Sequence, residues 1–189
     1  MNTTRPAAAG ETSGNLKPDE DIDALIDRLR SADYATRLEA RRRLTAAGSA
    51  AVPVLIATLR ERNWRLRWAA AKALSEIRDP LSAPALVHRL CDRRFGVRWL
   101  AGTGLIALGE HAVEPVLRQL RRRSSSTFLN GAERVLKGII RQGATPETEE
   151  TLRPVIAALE GLEAHLTSPI EAKRALDQLG ERRKGRQAA

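Results

Sequence analysis

Residues 59–90 read LRERNWRLRWAAAKALSEIRDPLSAPALVHRL. Asn63 is placed to cap a helix. After it, Leu66, Ala69, Ala70, Ala73, Leu74 and Ile77 recur at the spacing of one helical face. Pro84 then opens a second helix, since proline is tolerated in a first turn, and Leu86-Val87 supply its apolar side. The stretch predicts two helices joined by a short turn. A pair this short cannot bury its apolar face alone, so it needs neighbours of the same kind.

The neighbours are present on both sides. Leu29 to Leu59 reads LRSADYATRLEARRRLTAAGSAAVPVLIATL, and Leu90 to Leu120 reads LCDRRFGVRWLAGTGLIALGEHAVEPVLRQL. Arg37, Arg67 and Arg98 recur at a step of 30 or 31 residues, as do Ala40, Ala70 and Ala101, then Leu44, Leu74 and Leu105. Pro53, Pro84 and Pro115 mark the start of one helix of each pair. We call that helix A and its partner helix B. Asp33 is the counterpart of Asn63 as a cap. In the third unit Val97, Leu100, Ala101, Gly104, Leu105 and Leu108 carry the core face of helix B. In the first unit Glu39 and Arg43 stand in two of these core columns; no unit precedes them, and they can pair at i,i+4.

The expected fold is all-α: a right-handed α-solenoid of stacked antiparallel helix pairs, about ten helices in all. Its repeats span about 22–59, 60–90 and 91–120, followed by a degenerate unit at 121–141, in which Asn130 and Arg134 fall in core columns. Residues 146–183 supply two closing helices. Thr145 before Pro146 and the acidic Glu147, Glu149 and Glu150 is one start signal; Ser168-Pro169-Ile170-Glu171 is the other. The solenoid as a whole runs over 19–183. Residues 1–18 and the tail ERRKGRQAA (181–189), whose basic end is 184–189, are expected to be disordered.

The columns resemble the short HEAT repeats, and among them the phycobilin-lyase-type version, over residues 22–141. The resemblance implies A helices on the convex side and B helices on the concave side. It implies no single activity: HEAT solenoids are mostly binding scaffolds, and some are enzymes. In short HEAT repeats the arginine column, here Arg37, Arg67 and Arg98, reaches back to the preceding turn and bonds acidic side chains or carbonyls there. Glu61 and Asp92, six residues upstream of Arg67 and Arg98, suit it as partners.

Composition narrows the function. Hydrophobic residues make up 42% of the chain but aromatic residues only 3%, so the core must be built from Ala, Leu, Val and Ile. Cys91 is the only cysteine, which excludes an intramolecular disulfide framework and a multi-cysteine zinc site and is compatible with a cytoplasmic address. No stretch approaches the roughly 20 apolar residues of a membrane span. His88, His111 and His165 have no partner at metal-ligand spacing, there is no phosphate-binding glycine loop, and Cys91 reads as a small apolar side chain at a repeat joint. Neither cofactor, metal nor catalytic residue is expected.

The net charge is +9, and it lies in the middle of the fold. Residues 60–123 hold 14 Arg and Lys against 6 Asp and Glu, whereas residues 124–189 hold 10 against 9. Arginine outnumbers lysine 27 to 5, which either a GC-rich genome or an anionic partner would produce. Trp68 lies two residues past Leu66, roughly 200° round the helix, and faces away from the core. Trp99 repeats it. With Leu38 and Leu129 they form one expected apolar stripe on the concave wall, serving either as a binding groove or as a seal between neighbouring B helices. Arg65, Lys72, Arg93 and Arg94 have no column role and are the candidates for an anionic partner. Trp64 is placed in the turn before its helix. Arg41, Arg42 and Arg43 read as solvated surface, and Arg121, Arg122 and Arg123 as cations at a helix C-terminus. Gly104 falls in a core column and allows close helix approach. Gly102 leaves room beside Trp99, for a ligand or partner.

The leading function is a non-catalytic interaction scaffold that binds a partner protein segment on the B-helix face; a monomer is favoured. The second reading is DNA or RNA binding through the basic central repeats. HEAT-like DNA alkylbase glycosylases use a basic concave face with tryptophans, but their catalytic carboxylate has no counterpart here, since Asp79 and Asp92 lie in turns. A third, bilin-lyase-like enzyme or chaperone, rests on the resemblance alone.

Overall fold

A computed structural model describes residues 21–188. Ten α-helices and no strand occur among them: α1 (Ile22–Arg28), α2 (Tyr34–Ala46), α3 (Val52–Thr58), α4 (Trp64–Ile77), α5 (Ala83–Arg89), α6 (Phe95–Ala107), α7 (Val113–Leu120), α8 (Ser126–Arg141), α9 (Pro146–Glu160) and α10 (Ala164–Ala188). The expected spans 22–59, 60–90 and 91–120 contain α1 to α3, α4 with α5, and α6 with α7. The expectation for residues 1–18 lies outside the described residues.

The local signals act where the sequence places them. Asp33 accepts the Thr36 N–H at 2.6 Å and starts α2; Asn63 accepts the Arg65 N–H at 3.0 Å and starts α4. Trp64 is the first residue of α4, not part of the turn before it. Each of α3, α5 and α7 follows a short 3₁₀ turn. The chain enters that turn through a left-handed residue, Gly48 at φ 60°, Arg78 at φ 58° and Gly109 at φ 57°. Two units use the residue that takes this conformation without a Cβ penalty; the middle one uses arginine.

One apolar core runs the length of the stack. Leu66, Val97 and Phe128 are fully buried at a step of 31, and so are Ala70, Ala101 and Ala132, then Leu74, Leu105 and Leu136. The fourth unit therefore keeps the register at 31 residues. This corrects the expectation that Asn130 and Arg134 fall in core columns. The core of α8 is Phe128, Ala132, Val135, Leu136 and Ile139, and Asn130 is exposed. The B helices pack on one another in series more extensively than the A helices, which are about half as long.

At the far end α9 and α10 close the apolar face with Leu152, Val155, Leu159, Ala172 and Ala175. Helix α10 begins at Ala164, before the Ser168-Pro169 signal, and Pro169 lies inside it. Ser168 is fully buried and donates its hydroxyl to the Ala164 carbonyl at 2.5 Å. This polar group is satisfied within the turn that the proline interrupts, so Ser168 does not act as a cap. The helix continues through Ala188, into the residues expected as a tail. Arg182 there donates to the Glu147 carbonyl at 2.7 Å and the Thr151 hydroxyl at 3.0 Å, and Arg183 pairs with Glu114 at 3.0 Å. No helix among the described residues is long and apolar enough to cross a membrane.

Candidate functional site

The arginine column links the units. Arg37 donates to the carbonyls of Ser31 and Ala32 at 2.8 and 2.6 Å, and Arg67 to those of Glu61 and Arg62, both at 2.8 Å. Arg98 reaches Asp92 at 2.8 Å and Arg93 at 3.4 Å. The upstream partners are thus backbone carbonyls, not the carboxylates of Glu61 and Asp92. Those carboxylates serve across units instead. Glu61 accepts from Arg30 at 2.9 Å. Asp92 accepts from Arg67 Nε at 2.7 Å and Nη2 at 3.0 Å, with Arg89 at 3.4 Å and the Arg94 N–H at 3.0 Å. Burial raises the Asp92 carboxyl pKa, but the Arg67 and Arg94 hydrogen bonds and the charges of Arg67 and Arg89 outweigh it and hold the group below its usual value.

With 31 residues per step, the fourth position of this arginine column is Leu129. It is buried, at 6% exposure. The expected stripe Leu38, Trp68, Trp99, Leu129 therefore loses its last member. Its true continuation is the exposed Asn130, because the extra residue of the third step rotates Leu129 into the stack. Leu38 is half-buried, and Trp68 and Trp99 are 38% and 51% exposed. Trp68 is divided between packing and solvent. One edge packs on the next unit, where a Cβ on Gly96 would come within 3.2 Å of its Cδ1, and the rest meets solvent.

A second aromatic column escaped the sequence reading. Tyr34, Trp64 and Phe95 are the first residues of α2, α4 and α6, and all are exposed. Their signal was the same 30-to-31 step, directly after the cap position. One turn further on in each helix stand Leu38, Trp68 and Trp99, so the two columns share a face. Phe95 and Trp99 approach with ring centroids 6.1 Å apart. Tyr34, Leu38, Trp64 and Trp68, with Leu29, line a cavity of about 310 Å³ between α2 and α4, rimmed by Arg37, Arg41 and Arg65.

Guanidinium groups cover most of these rings. Arg65 and Arg94 lie 5.7 and 5.2 Å from the Trp64 centroid, Arg37 lies 5.8 Å from Tyr34, and Arg98 lies 5.6 Å from Phe95. The tightest is Arg134, 4.4 Å from Trp99, which also donates to the Trp99 carbonyl at 3.1 Å. Arg134 explains Gly102. A Cβ there would sit 1.8 Å from Arg134 Nη2, so the space beside Trp99 is filled by this chain's own arginine and not left for a ligand. Gly104 does allow close approach, since a Cβ would lie 3.0 Å from Leu86 Cδ1 and 3.3 Å from Ser75 Cα.

The remaining candidates divide. Arg65 and Arg94 join the aromatic face. Arg93 is exposed. Lys72 is turned to Glu76, at 3.0 Å, within its own helix. Glu39 and Arg43 pair at 2.8 Å as expected, and Arg41 bonds Glu76 of the next unit at 2.7 Å. Cys91 is partly buried, donating to the His88 carbonyl and accepting from Arg123 at 3.3 Å. Among the described residues no cluster of His, Cys, Asp and Glu could hold a metal ion.

The fold and this surface define an α-helical repeat solenoid with an exposed aromatic and basic face on its B helices. Residues 22–105, from α1 into α6, match the family of HEAT repeats. The chain is similar in structure to the complex of CpcE and CpcF of phycocyanin lyase from Nostoc sp. PCC7120, with 23% identity over 93% of this chain and 71% of that one and a TM-score of 0.46. It is also similar to an engineered protein, with 22% identity over 84% of this chain and 78% of that one and a TM-score of 0.42. No curated protein matches it.

Proposed function

We propose that this protein is a non-catalytic scaffold that binds a segment of a partner protein along the face formed by Trp64, Trp68, Phe95 and Trp99, with Trp68 and Trp99 as anchors. One observation carries this reading. The chain has six aromatic residues, and five of them, Tyr34, Trp64, Trp68, Phe95 and Trp99, stand exposed on this one face, while only Phe128 is in the core. Folding gains little from aromatic surface left in water, and partially buried Trp beside Arg is the usual composition of an interface anchor. Arg65, Arg93 and Arg94 frame the site; Lys72, one turn further along α4, is paired with Glu76 and borders it. Leu38 extends the apolar floor, whereas Leu129 lies inside the stack and takes no part.

The test is affinity capture from the native cell extract, with and without nuclease, repeated with Trp68→Ala/Trp99→Ala. The reading expects a protein partner that survives nuclease and weakens about 30-fold or more in the double variant, the size of a two-kcal/mol anchor loss. A partner lost on nuclease treatment would replace this reading with nucleic-acid binding, the alternative that the positive charge of residues 60–123 supports. Equal capture by the double variant would remove the tryptophans from the site.

A further inference from the structure

The two edges of the solenoid differ in charge. Every A-to-B turn lies on one edge, at residues 30–33, 60–63, 91–94 and 121–125, and together these turns hold eight arginines against three carboxylates. The B-to-A turns, at 47–51, 78–82, 108–112 and 142–145, hold one arginine against two carboxylates.

The three carboxylates on the basic edge are all engaged. Asp33 caps α2 through Thr36, at 2.6 Å to its N–H and 2.7 Å to its hydroxyl. Glu61 holds Arg30 at 2.9 Å. Asp92 holds Arg67 at 2.7 Å and Arg89 at 3.4 Å. Arg62, Arg93, Arg121 and Arg122 on this edge, and Arg65 and Arg94 beside Trp64, have no carboxylate partner among the described residues. The uncompensated field reaches further: burial first, then the charges of Arg123, Arg89 and Arg60, hold His88 below its usual pKa. The aromatic face borders the same edge, since Tyr34, Trp64 and Phe95 each follow directly on an A-to-B turn.

We infer that the partner segment is an acidic, extended stretch of polypeptide that lies along this edge, its carboxylates on the unpaired arginines and its apolar side chains on the tryptophan face. The inference rests on the scaffold reading above and names the chemistry of its partner. Two features favour a polypeptide over a nucleic acid. Four of the five exposed rings already carry a guanidinium over one face, which obstructs the base stacking that single-strand binders use. Of those guanidiniums Arg37, Arg98 and Arg134 already donate to backbone carbonyls, while Arg65 and Arg94, beside Trp64, hold no carboxylate and can donate to one. Spacing sets the register. Packed helices stand about 8–10 Å apart, and an extended chain advances about 3.3 Å per residue, so every third residue of the partner meets a successive B helix.

The test uses the full chain and a fluorescein-labelled 15-residue peptide of five Leu-Glu-Glu repeats, read by anisotropy. Its charge-reversed Leu-Lys-Lys counterpart and a 20-nucleotide oligothymidylate are the comparisons. The acidic peptide is expected to bind, to weaken between 50 and 300 mM salt, and to weaken about tenfold or more on Arg62→Glu/Arg93→Glu. Both side chains are exposed, and circular dichroism verifies that the variant is folded. Lys173→Glu on α10 is expected to change nothing beyond twofold. The inference is overturned if the acidic peptide does not bind, if it ignores Arg62→Glu/Arg93→Glu, if the lysine peptide binds as well, or if the oligothymidylate binds more tightly at 150 mM salt. Retesting the captured partner separates the two proposals. Loss with Trp68→Ala/Trp99→Ala but not with Arg62→Glu/Arg93→Glu sinks the acidic segment alone; indifference to both sets sinks the scaffold reading as well.

Discussion

Replacing Asp92 by Asn keeps the side chain's volume and removes its charge at the joint between the second and third units. Only 3% of that side chain is exposed, and its Arg67 partner is 12% exposed. In the wild type the carboxylate faces four donors: two from Arg67, one from Arg89 and the Arg94 N–H. An amide offers one acceptor oxygen to this set and turns an NH₂ toward the rest. Breaking a buried pair from one side costs about 3–5 kcal/mol. Arg67 keeps the carbonyls of Glu61 and Arg62, so we expect the lower end, about 3 kcal/mol. For a chain of this size that is a drop in Tm of about 6–12 °C, read by circular dichroism at 222 nm. The effect should also depend on pH with a definite sign. The folded Asp92 carboxyl titrates below its usual value, so the unfolded chain takes up its proton first. The stabilisation is complete above the ordinary carboxylate range near pH 4 and is lost as pH falls through the folded value. Glu114, partly buried yet held low by Arg183 and Arg118, adds to the loss in the same direction. The gap between wild type and Asp92→Asn should therefore narrow below about pH 4. A Tm change under about 3 °C at pH 7, or a gap that is constant from pH 7 to pH 3, would refute this reasoning.

Three glycine-related changes test the fold's other particulars. Gly102→Ala should displace Arg134 from Trp99. The helix gains about 1 kcal/mol and loses a cation–π contact and a hydrogen bond of about the same size, so Tm should move little while tryptophan emission shifts to longer wavelength; an unshifted spectrum would show that Arg134 had stayed. Gly104→Ala, two residues along, meets Leu86 Cδ1 at 3.0 Å and also the Ser75 backbone Cα at 3.3 Å, which cannot turn aside. Overpacking costs of about 1–3 kcal/mol should exceed the helical gain, and an unchanged Tm would mean that α4 and α6 can part cheaply. Arg78→Gly puts the residue used by the first and third units at the left-handed position and should stabilise by about 1 kcal/mol; a lower Tm would mean that the arginine side chain supports the turn.

Much of this was legible because a solenoid repeats its instructions. The caps Asp33 and Asn63, the apolar columns and the outward Trp68 and Trp99 each appear two or three times, and recurrence separates signal from coincidence. The fourth unit was misread where it has no such support. A step of 30 in place of 31 moved Leu129 to the surface and Asn130 and Arg134 into the core; Phe128, Ala132 and Leu136 were the columns that fixed the step. Arg134 over Trp99 and Asp92 beneath Arg67 join residues 35 and 25 positions apart, and no local pattern encodes such contacts. The column Tyr34, Trp64 and Phe95 was present in the sequence, but three different aromatic residues do not look like one conserved letter until the helix starts are known.

All three tryptophans, Trp64, Trp68 and Trp99, are on the proposed binding face, and none is in the core. Intrinsic tryptophan emission therefore reports on this surface alone. The most direct measurement is emission and acrylamide quenching of the full chain during titration with its captured partner. Binding on this face predicts a shift to shorter wavelength and loss of quenching, following the same isotherm as binding measured independently. Full binding by that independent measure, with emission and quenching unchanged, would contradict it.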